Sequence, residues 1–168
     1  VRGITDPGSI LNDLRASVVR SFADKGENAA KDGMDICMLT IDKENGKLMF
    51  AGAYNSLLQI RNGELNEFKV DKFPCALSDQ YKSGIMFTTQ TIDMQKGDCY
   101  YFFSDGYCDQ FGGEDGQKKF MKARFKRHLL ELWTLPMEQQ GEELNRIHLE
   151  FKGDTDQIDD ILVIGIRI

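Results

Sequence analysis

The chain has 168 residues, with 21 Lys and Arg against 27 Asp and Glu, which gives a net charge of −6 and a pI near 5.0. Its length and its 41% hydrophobic content suffice for one folded domain over residues 1–168 and exclude a disordered chain. The acidic balance argues against nucleic acid as a partner, because phosphate binding requires clustered Lys and Arg. No apolar run reaches the roughly 18–20 residues of a membrane span.

The first half of the chain predicts one helix and two hairpins. Asp6 can cap a helix that starts at Pro7 and whose apolar residues keep helical spacing as far as Phe22. The polar segment 23–33 is expected to be a loop. Strands are then predicted at 34–41 and 47–53, across Asn45-Gly46, and at 57–61 and 64–70, across Asn62-Gly63. Two-residue turns join only antiparallel neighbours, so a parallel sheet is improbable here.

The second half predicts strands, two helices and a final strand. Residues 85–94 and 98–104 are expected to form a strand pair across 95–97, and the second strand is apolar enough to be central in a sheet. Helical spacing then predicts one helix over 118–133 and a second that Pro136 opens. Residues 161–168 are predicted to be a buried strand. The pattern indicates an α+β domain of antiparallel strands and helices in layers.

The cysteines indicate a reducing compartment and therefore a cytoplasmic location. Cys37, Cys75, Cys99 and Cys108 contain no C-x-x-C pair, so zinc-site spacing is absent. Three of the four lie in or beside apolar, strand-like runs, where a free cysteine is usually a small core residue.

Acidic residues follow one predicted strand and precede another. Asp105-Gly106 comes after strand 98–104, and Asp159-Asp160 comes before the last strand. If these strands are antiparallel neighbours, Asp105 and the Asp159-Asp160 pair lie at the same edge of the sheet. Oxygen ligands of this type are those that Mg²⁺ or Mn²⁺ prefers, and Gly106 would let its backbone approach the ions closely. The alternative is that both pairs are ordinary turn residues.

Other catalytic patterns fail. Ser104 lacks the G-x-S-x-G context, and no nucleophile neighbours His128 or His148, which are expected to be surface or boundary residues. The glycine-rich segment after Phe111 does not have the spacing of a phosphate-binding loop. An EF-hand that would start at Asp154 breaks down at Ile158.

The motifs nevertheless resemble those of one family. The segments F-F-S-D-G-Y-C-D-Q-F-G-G at 102–113, K-F at 119–120 and Q-I-D-D-I-L-V-I-G-I-R-I at 157–168 resemble the C-terminal part of SpoIIE-type (RsbU-type) domains in the PPM superfamily of metal-dependent Ser/Thr phosphatases. The segments K-D-G-M-D-I at 31–36 and F-A-G-A-Y-N at 50–55 resemble the preceding hairpin of those domains. Ser56 stands where many relatives have Pro.

The resemblance implies a layered β-sandwich flanked by helices and a centre of two Mn²⁺ or Mg²⁺ ions. Carried over, Asp105 and Asp159 match metal-ligating aspartates, and Gly106 and Asp160 match positions that support the ligands. No side chain other than the ligands is expected to be catalytic. The implied substrate is a phosphorylated signalling protein, such as an anti-anti-sigma factor. An attached sensor domain, which could tether the parent protein to a membrane, is expected to control the enzyme.

One departure from the family pattern defines the alternatives. These domains share an N-terminal D-x-x-G-H-G motif whose Asp bridges both metals, and that motif is absent from the 168 residues. We therefore expect a chain truncated before its first helix, as Val1 in place of Met would suggest, without activity of its own and with exposed sheet edges that permit a homodimer. The second reading is a degenerate or truncated module for dimerisation or partner binding. A third is an unrelated α+β ligand-binding domain.

Overall fold

A computed structural model describes residues 5–23, 34–76 and 83–168 of the chain. Most of the loop predicted at 23–33, and with it the beginning of the family-like segment at 31–36, lies outside the described residues. The chain divides into two compact units, one formed by Val1–Leu57 and Lys69–Gln95 and the other by Leu58–Phe68 and Lys96–Ile168. The assignment of residues 1–168 to one domain stays a prediction.

The described residues form four helices and nine strands. In chain order these are α1 (Pro7–Ala23), β1 (Ile36–Asp42), β2 (Lys47–Ala53), β3 (Leu57–Arg61), β4 (Glu64–Phe68), β5 (Gln90–Asp93), β6 (Cys99–Phe103), α2 (Gly106–Asp109), β7 (Phe111–Gly112), β8 (Lys118–Lys119), α3 (Lys122–Leu132), α4 (Met137–Lys152) and β9 (Val163–Arg167). The α+β class with antiparallel strands is confirmed. None of the helices described is both long and apolar enough to cross a membrane.

The first unit contains α1 and a sheet with the strand order β1-β2-β5. The helix starts as predicted, because the Ser9 amide donates a 2.8 Å hydrogen bond to the Asp6 carboxylate. Leu11 is fully buried in a cluster with apolar residues of β2 and of the segment around Phe73. This burial holds the amphipathic helix, since a helix of this length gains most of its stability from packing.

The second unit contains a sheet with the strand order β4-β3-β6-β9. The Asn62-Gly63 turn joins β3 and β4 with positive φ angles of 53° and 82°, as a two-residue hairpin turn requires. Strand β6 lies inside the sheet between β3 and β9, which confirms that it is central. The α3 and α4 helices contribute Phe125, Leu129 and Leu144 to the core of this unit.

Three predicted elements differ from the structure. The expected strand pair across 95–97 is wrong, because β5 pairs with β2 while β6 pairs with β3 and β9 in another sheet. The helix expected from residue 118 begins at Lys122, after the short strand β8. The last strand is not buried, because β9 ends the sheet order and its residues are half-buried or exposed. Sheet order is a non-local property, so composition could not provide it.

Candidate functional site

The candidate site lies where β6 ends and β9 begins. The two strands are antiparallel, and Phe103 is the register partner of Val163. Strand β6 therefore ends beside the start of β9. Asp105 follows β6 and the Asp159-Asp160 pair precedes β9, so these acids lie at the same edge of the sheet. The antiparallel pairing on which the sequence prediction depended is therefore confirmed.

Ser104 ties the two segments together at this edge. Its Oγ donates to the Asp160 carbonyl oxygen at 2.8 Å and accepts from the Leu162 amide at 2.9 Å. Its backbone amide donates to the Leu162 carbonyl oxygen at 2.9 Å. The sequence excluded Ser104 as a nucleophile but did not predict that it holds the edge together. Its place directly after an apolar strand was the available signal.

Gly106 is buried because the Asp159-Asp160 backbone packs directly against it. A Cβ at this position would lie 2.4 Å from the Asp160 carbonyl oxygen and 3.0 Å from the carbonyl carbon. Real Cβ atoms do not approach a backbone so closely, so glycine is required for this contact. We predicted from the sequence that Gly106 allows its backbone to approach metal ions. The contact observed is with the Asp159-Asp160 backbone, and the approach of the Gly106 backbone to metal ions stays a prediction.

The carboxylates at this edge face solvent. Asp105 is exposed and stands at the N-cap of α2, where its carbonyl oxygen accepts from the Cys108 amide at 2.8 Å and its side chain makes no capping hydrogen bond. Asp159 is exposed as well, and its Oδ1 accepts from the Asp160 amide at 2.7 Å. Asp159 and Asp160 line an open depression of about 360 Å³. These carboxylates are therefore accessible to a ligand.

The donor set suits a hard divalent cation only in part. Carboxylate oxygens are the ligands that Mn²⁺ and Mg²⁺ prefer, which is the chemistry that Asp105 and Asp159 offer. Within residues 5–23, 34–76 and 83–168, however, no group of three or more His, Cys, Asp or Glu is arranged to hold a metal ion. The described residues can thus provide some of the ligands of such a centre, and they do not form a complete one.

A network behind the edge positions the loop that carries Asp159. The Gln110 side-chain amide donates to the Asp156 carbonyl oxygen at 2.8 Å, and the Thr155 hydroxyl donates to the Phe111 carbonyl oxygen at 2.7 Å. Gly112 permits this arrangement, since a Cβ there would meet the Phe151 carbonyl oxygen at 1.9 Å. These residues were not predicted from the sequence, although adjacent glycines at 112–113 indicate that another part of the backbone approaches closely.

The position of His148 differs from the one predicted. We expected both histidines at the surface or boundary, but His148 is only 5% exposed and its ring packs 4.8 Å from that of Tyr107. Burial, with a smaller effect of Lys152, lowers the pKa of His148. Tyr107 follows Gly106 directly and donates to the Leu144 carbonyl oxygen at 2.7 Å. These contacts fix α2 behind the candidate site, whereas His128 is half-buried and its Nδ1 lies 2.8 Å from Glu131.

The cysteines of the chain are free thiols, and most of them lie in the core. Cys75, Cys99 and Cys108 are buried and Cys37 is half-buried, and none of them forms a disulfide. Burial raises the pKa of the Cys108 thiol to about 12, which keeps it protonated and unreactive at neutral pH. The interpretation of the cysteines as core residues is confirmed for Cys75, Cys99 and Cys108.

Comparisons with known proteins place these features in one family. The family model described as Stage II sporulation protein E (SpoIIE) matches residues 2–168. The SiaA-PP2C domain of Pseudomonas aeruginosa superposes with a TM-score of 0.84 at 28% identity, over 99% of this chain and 63% of that one. The present chain thus spans less than two thirds of that relative.

More distant structures share the fold. The phosphatase domain of the cell fate determinant SpoIIE from Bacillus subtilis gives a TM-score of 0.59 at 13% identity, covering 100% of this chain and 76% of that one. The RsbU and RsbW domains of Rv1364c from Mycobacterium tuberculosis give a TM-score of 0.65 at 15% identity, covering 95% of this chain and 46% of that one. No curated protein sequence matches the chain significantly.

Proposed function

Because the chain belongs to the SpoIIE family, we propose that it provides part of the metal centre of a PP2C-type protein serine/threonine phosphatase domain. One observation carries this proposal. The hydrogen bonds of Ser104 and the close packing of Gly106 hold the segment 104–106 (S-D-G) against the segment 159–160 (D-D), and the carboxylates of both segments are exposed. The solved relatives are PP2C-type phosphatase domains, and the family depends on Mn²⁺ or Mg²⁺ in general.

In this role Asp105 and Asp159 hold metal, and Gly106, Asp160 and Ser104 keep their segments in register. When bound, the ions would supply an activated water for attack on the phosphorus of phosphoserine or phosphothreonine. The chain's own contribution is positional. Ser104 fixes the Asp160 carbonyl group, and the Asp105 carbonyl oxygen accepts the first backbone hydrogen bonds of α2, so both acidic segments are anchored through their backbones and their carboxylates stay outward.

Metal binding by the chain tests the ligand assignment. Titration with Mn²⁺, followed by the loss of the free-ion EPR signal, should show that Asp105→Asn and Asp159→Asn each weaken binding by about tenfold or more, since each removes a charged ligand. Asp154→Asn is the matched control, because Asp154 is an exposed acid of the same loop. Equal weakening by the control, or unchanged binding in both ligand variants, would refute the assignment.

The 168-residue chain by itself is inactive under this proposal. The D-x-x-G-H-G motif that bridges the metals in similar domains is absent from its sequence, and the described residues form no complete cluster of ligands. With Mn²⁺ present, the chain should release no phosphate from a phosphoserine peptide. Appreciable release that disappears in Asp105→Ala would show that the chain is a complete enzyme after all.

The proposed substrate is a phosphorylated signalling protein of the anti-anti-sigma type, acted on in the cytoplasm under the control of a sensor domain. Support comes from the regulatory setting of the relatives, which include the RsbU and RsbW domains of Rv1364c and PppA, a regulatory component of the type VI secretion system in Pseudomonas aeruginosa. The full-length product of the gene, supplied with Mn²⁺, should dephosphorylate a serine-phosphorylated anti-anti-sigma protein. Persistent activity in Asp105→Ala would contradict the proposed site.

A non-enzymatic module for dimerisation or partner binding is the second candidate. Strand β9 favours it, because β9 is the last strand of its sheet among the residues described and an open strand edge can pair with another chain. The complete coding sequence separates the two candidates, since D-x-x-G-H-G in it supports the enzyme. Sedimentation of the chain tests a homodimer directly, and a monomer at all concentrations would exclude it.

A further inference from the structure

Positive charge is concentrated in one short part of this acidic protein. Between residues 116 and 130 there are six Lys and Arg residues and no Asp or Glu, although the whole chain has a net charge of −6. We call residues 118–128 the cationic segment; it comprises β8, the two residues after it and the first seven residues of α3. Its cations are Lys118, Lys119, Lys122, Arg124, Lys126 and Arg127.

Half of these cations are neutralised within the protein. The ion pairs are Lys119 with Asp109 at 3.1 Å, Lys126 with Glu67 at 2.7 Å, and Arg127 with Glu131 at 3.5 Å. No described carboxylate lies within 4.0 Å of the charged groups of Lys118, Lys122 or Arg124. Like charges crowded together repel one another, so this arrangement stabilises the fold less than a mixed surface would. An external anion would relieve the repulsion.

Arg124 is held in place by two aromatic rings. Its guanidinium carbon lies 5.4 Å from the Phe120 ring centroid and 4.6 Å from that of Phe151. With Arg127 it lines an open cavity of about 560 Å³. Stacking restricts the side chain while its N–H groups remain available, which lowers the entropy cost of binding an anion.

Two carboxylates also line this cavity, and neither neutralises Arg124. Glu150 forms an ion pair with Arg146 at 2.6 Å, and Glu114 lies in the exposed loop after β7. Phe120, Ile147 and Phe151 also line the cavity. A lining that combines cations with apolar side chains suits an amino-acid side chain with a charged end, which is a feature of a polypeptide.

The cationic segment also borders the candidate site. The Lys122 ammonium group lies 5.5 Å from the ring centroid of Phe103, the last residue of β6 and only two positions before Asp105. A partner bound along the cationic segment would therefore lie next to Asp105 and the candidate site.

We propose that the cationic segment is a docking surface for an acidic segment of the protein partner, with Arg124 as its anchor for a carboxylate or phosphate group. The choice of a protein partner rests on the proposed function. Nucleic acid is the less suitable occupant, because three unpaired cations on a protein of net charge −6 give too small a phosphate-binding surface. The surface would hold the partner through charge while the exposed acids at the adjacent edge face its phosphorylated residue.

Fluorescence anisotropy with labelled peptides tests this docking without metal or catalysis, so its failure is separable from failure of the phosphatase proposal. The probes are an Asp- and Glu-rich peptide, its Asn and Gln analogue, and a single-stranded oligonucleotide of equal charge. We expect the acidic peptide to bind, the neutral analogue not to bind, and added salt to weaken the complex. Lys122→Glu with Arg124→Glu should weaken it by about tenfold or more.

Two further variants locate the effect. Lys43→Glu with Lys96→Glu makes the same change in net charge at exposed positions elsewhere and should leave the affinity unchanged. Arg124→Lys keeps the charge but not the planar stacked group, so it should weaken the complex by a smaller factor. Equal losses in both double variants, equal binding of the neutral peptide, or tighter binding of the oligonucleotide would each overturn the proposal.

Discussion

Strand β6 has an aspartate near each end, and the two serve different purposes. Asp98, before the strand, is only 1% exposed and binds Arg61 through two hydrogen bonds of 2.7 and 2.6 Å. Asp105, two residues after the strand, is exposed and makes no capping hydrogen bond through its side chain. The buried acid is therefore part of the framework, whereas the exposed acid remains available to an external cation.

Removal of the buried acid should produce the largest effect. Asp98→Ala would leave Arg61 without its bidentate partner and would also remove the acceptor of the 2.8 Å hydrogen bond from the Tyr100 hydroxyl. Breaking a buried ion pair from one side costs about 3–5 kcal/mol, which is a large share of a typical domain's stability. Because the Arg61 side chain is 26% exposed and can be hydrated, we expect the lower end of this range. Urea unfolding of the variant measures this loss.

Asp105→Ala is the matched experiment at the other end of the strand. Because the Asp105 carboxylate is exposed and does not cap α2, we expect the free energy of unfolding to change by no more than about 0.5 kcal/mol. Losses of similar size at both ends would show that Asp105 is structural and would remove the contrast on which the metal-site proposal depends.

The packing of Gly106 should give the next largest effect. In Gly106→Ala the new Cβ would meet the Asp160 carbonyl oxygen at 2.4 Å, so the Asp159-Asp160 segment must move. Such overpacking costs about 1–3 kcal/mol, and it should also weaken Mn²⁺ binding through the displaced Asp159.

Gly141→Ala is the control for that substitution. Gly141 lies within α4 and a Cβ there would meet nothing within 4 Å, so alanine should stabilise the helix by about 0.5–1 kcal/mol. Opposite signs in the two unfolding experiments would confirm that close packing, and not glycine flexibility, explains Gly106. A neutral Gly106→Ala would contradict the packing model.

Features set by neighbouring residues could be predicted from the sequence. The cap of α1 at Asp6 and the Asn62-Gly63 turn depend on side chains and dihedral angles within a few residues of one another. The central position of β6 was predictable only because its own apolar composition indicates a strand that is covered on both faces. Asp105-Gly106 and Asp159-Asp160 were found for the same reason, since strand ends and Asp-Gly steps are local signals.

Features set by distant contacts could not be predicted. The partner of β5 and the edge position of β9 depend on which strands meet in three dimensions, so a hydrophobic run alone misassigned both. His148 and Ser104 show the same limit at the candidate site. The apolar strand directly before Ser104 signals only that Ser104 lies at a strand end. No neighbouring residue shows that Ser104 binds a backbone 56 residues away or that His148 is buried against Tyr107.

Ser104→Ala should have a moderate effect at the Asp105 end. The substitution removes one hydrogen bond donated to the Asp160 carbonyl oxygen and one accepted from the Leu162 amide. At about 0.5–1.5 kcal/mol each, the loss is about 1–3 kcal/mol in total, which lies at or below the lower limit expected at Asp98. Amide hydrogen exchange should show lower protection at Leu162 and unchanged protection in β3. Unchanged exchange at Leu162 would contradict the role of Ser104 in joining the segments.

The response to acid tests the packing of His148 against Tyr107 of α2, the helix that follows Asp105. The pKa of His148 is lowered from 6.5 because burial disfavours its charged form, so the unfolded chain binds the proton more tightly than the folded chain. Stability is therefore complete above about pH 6.5 and falls as the pH drops towards the folded-state pKa, by at most about 1.4 kcal/mol per pH unit. Urea unfolding at a series of pH values measures the slope, which His148→Leu should abolish. His128→Gln replaces the only other histidine and should leave the slope of the unfolding free energy against pH intact. A slope that survives in His148→Leu would mean that the packing of neutral His148 behind α2 is not the cause of the pH dependence.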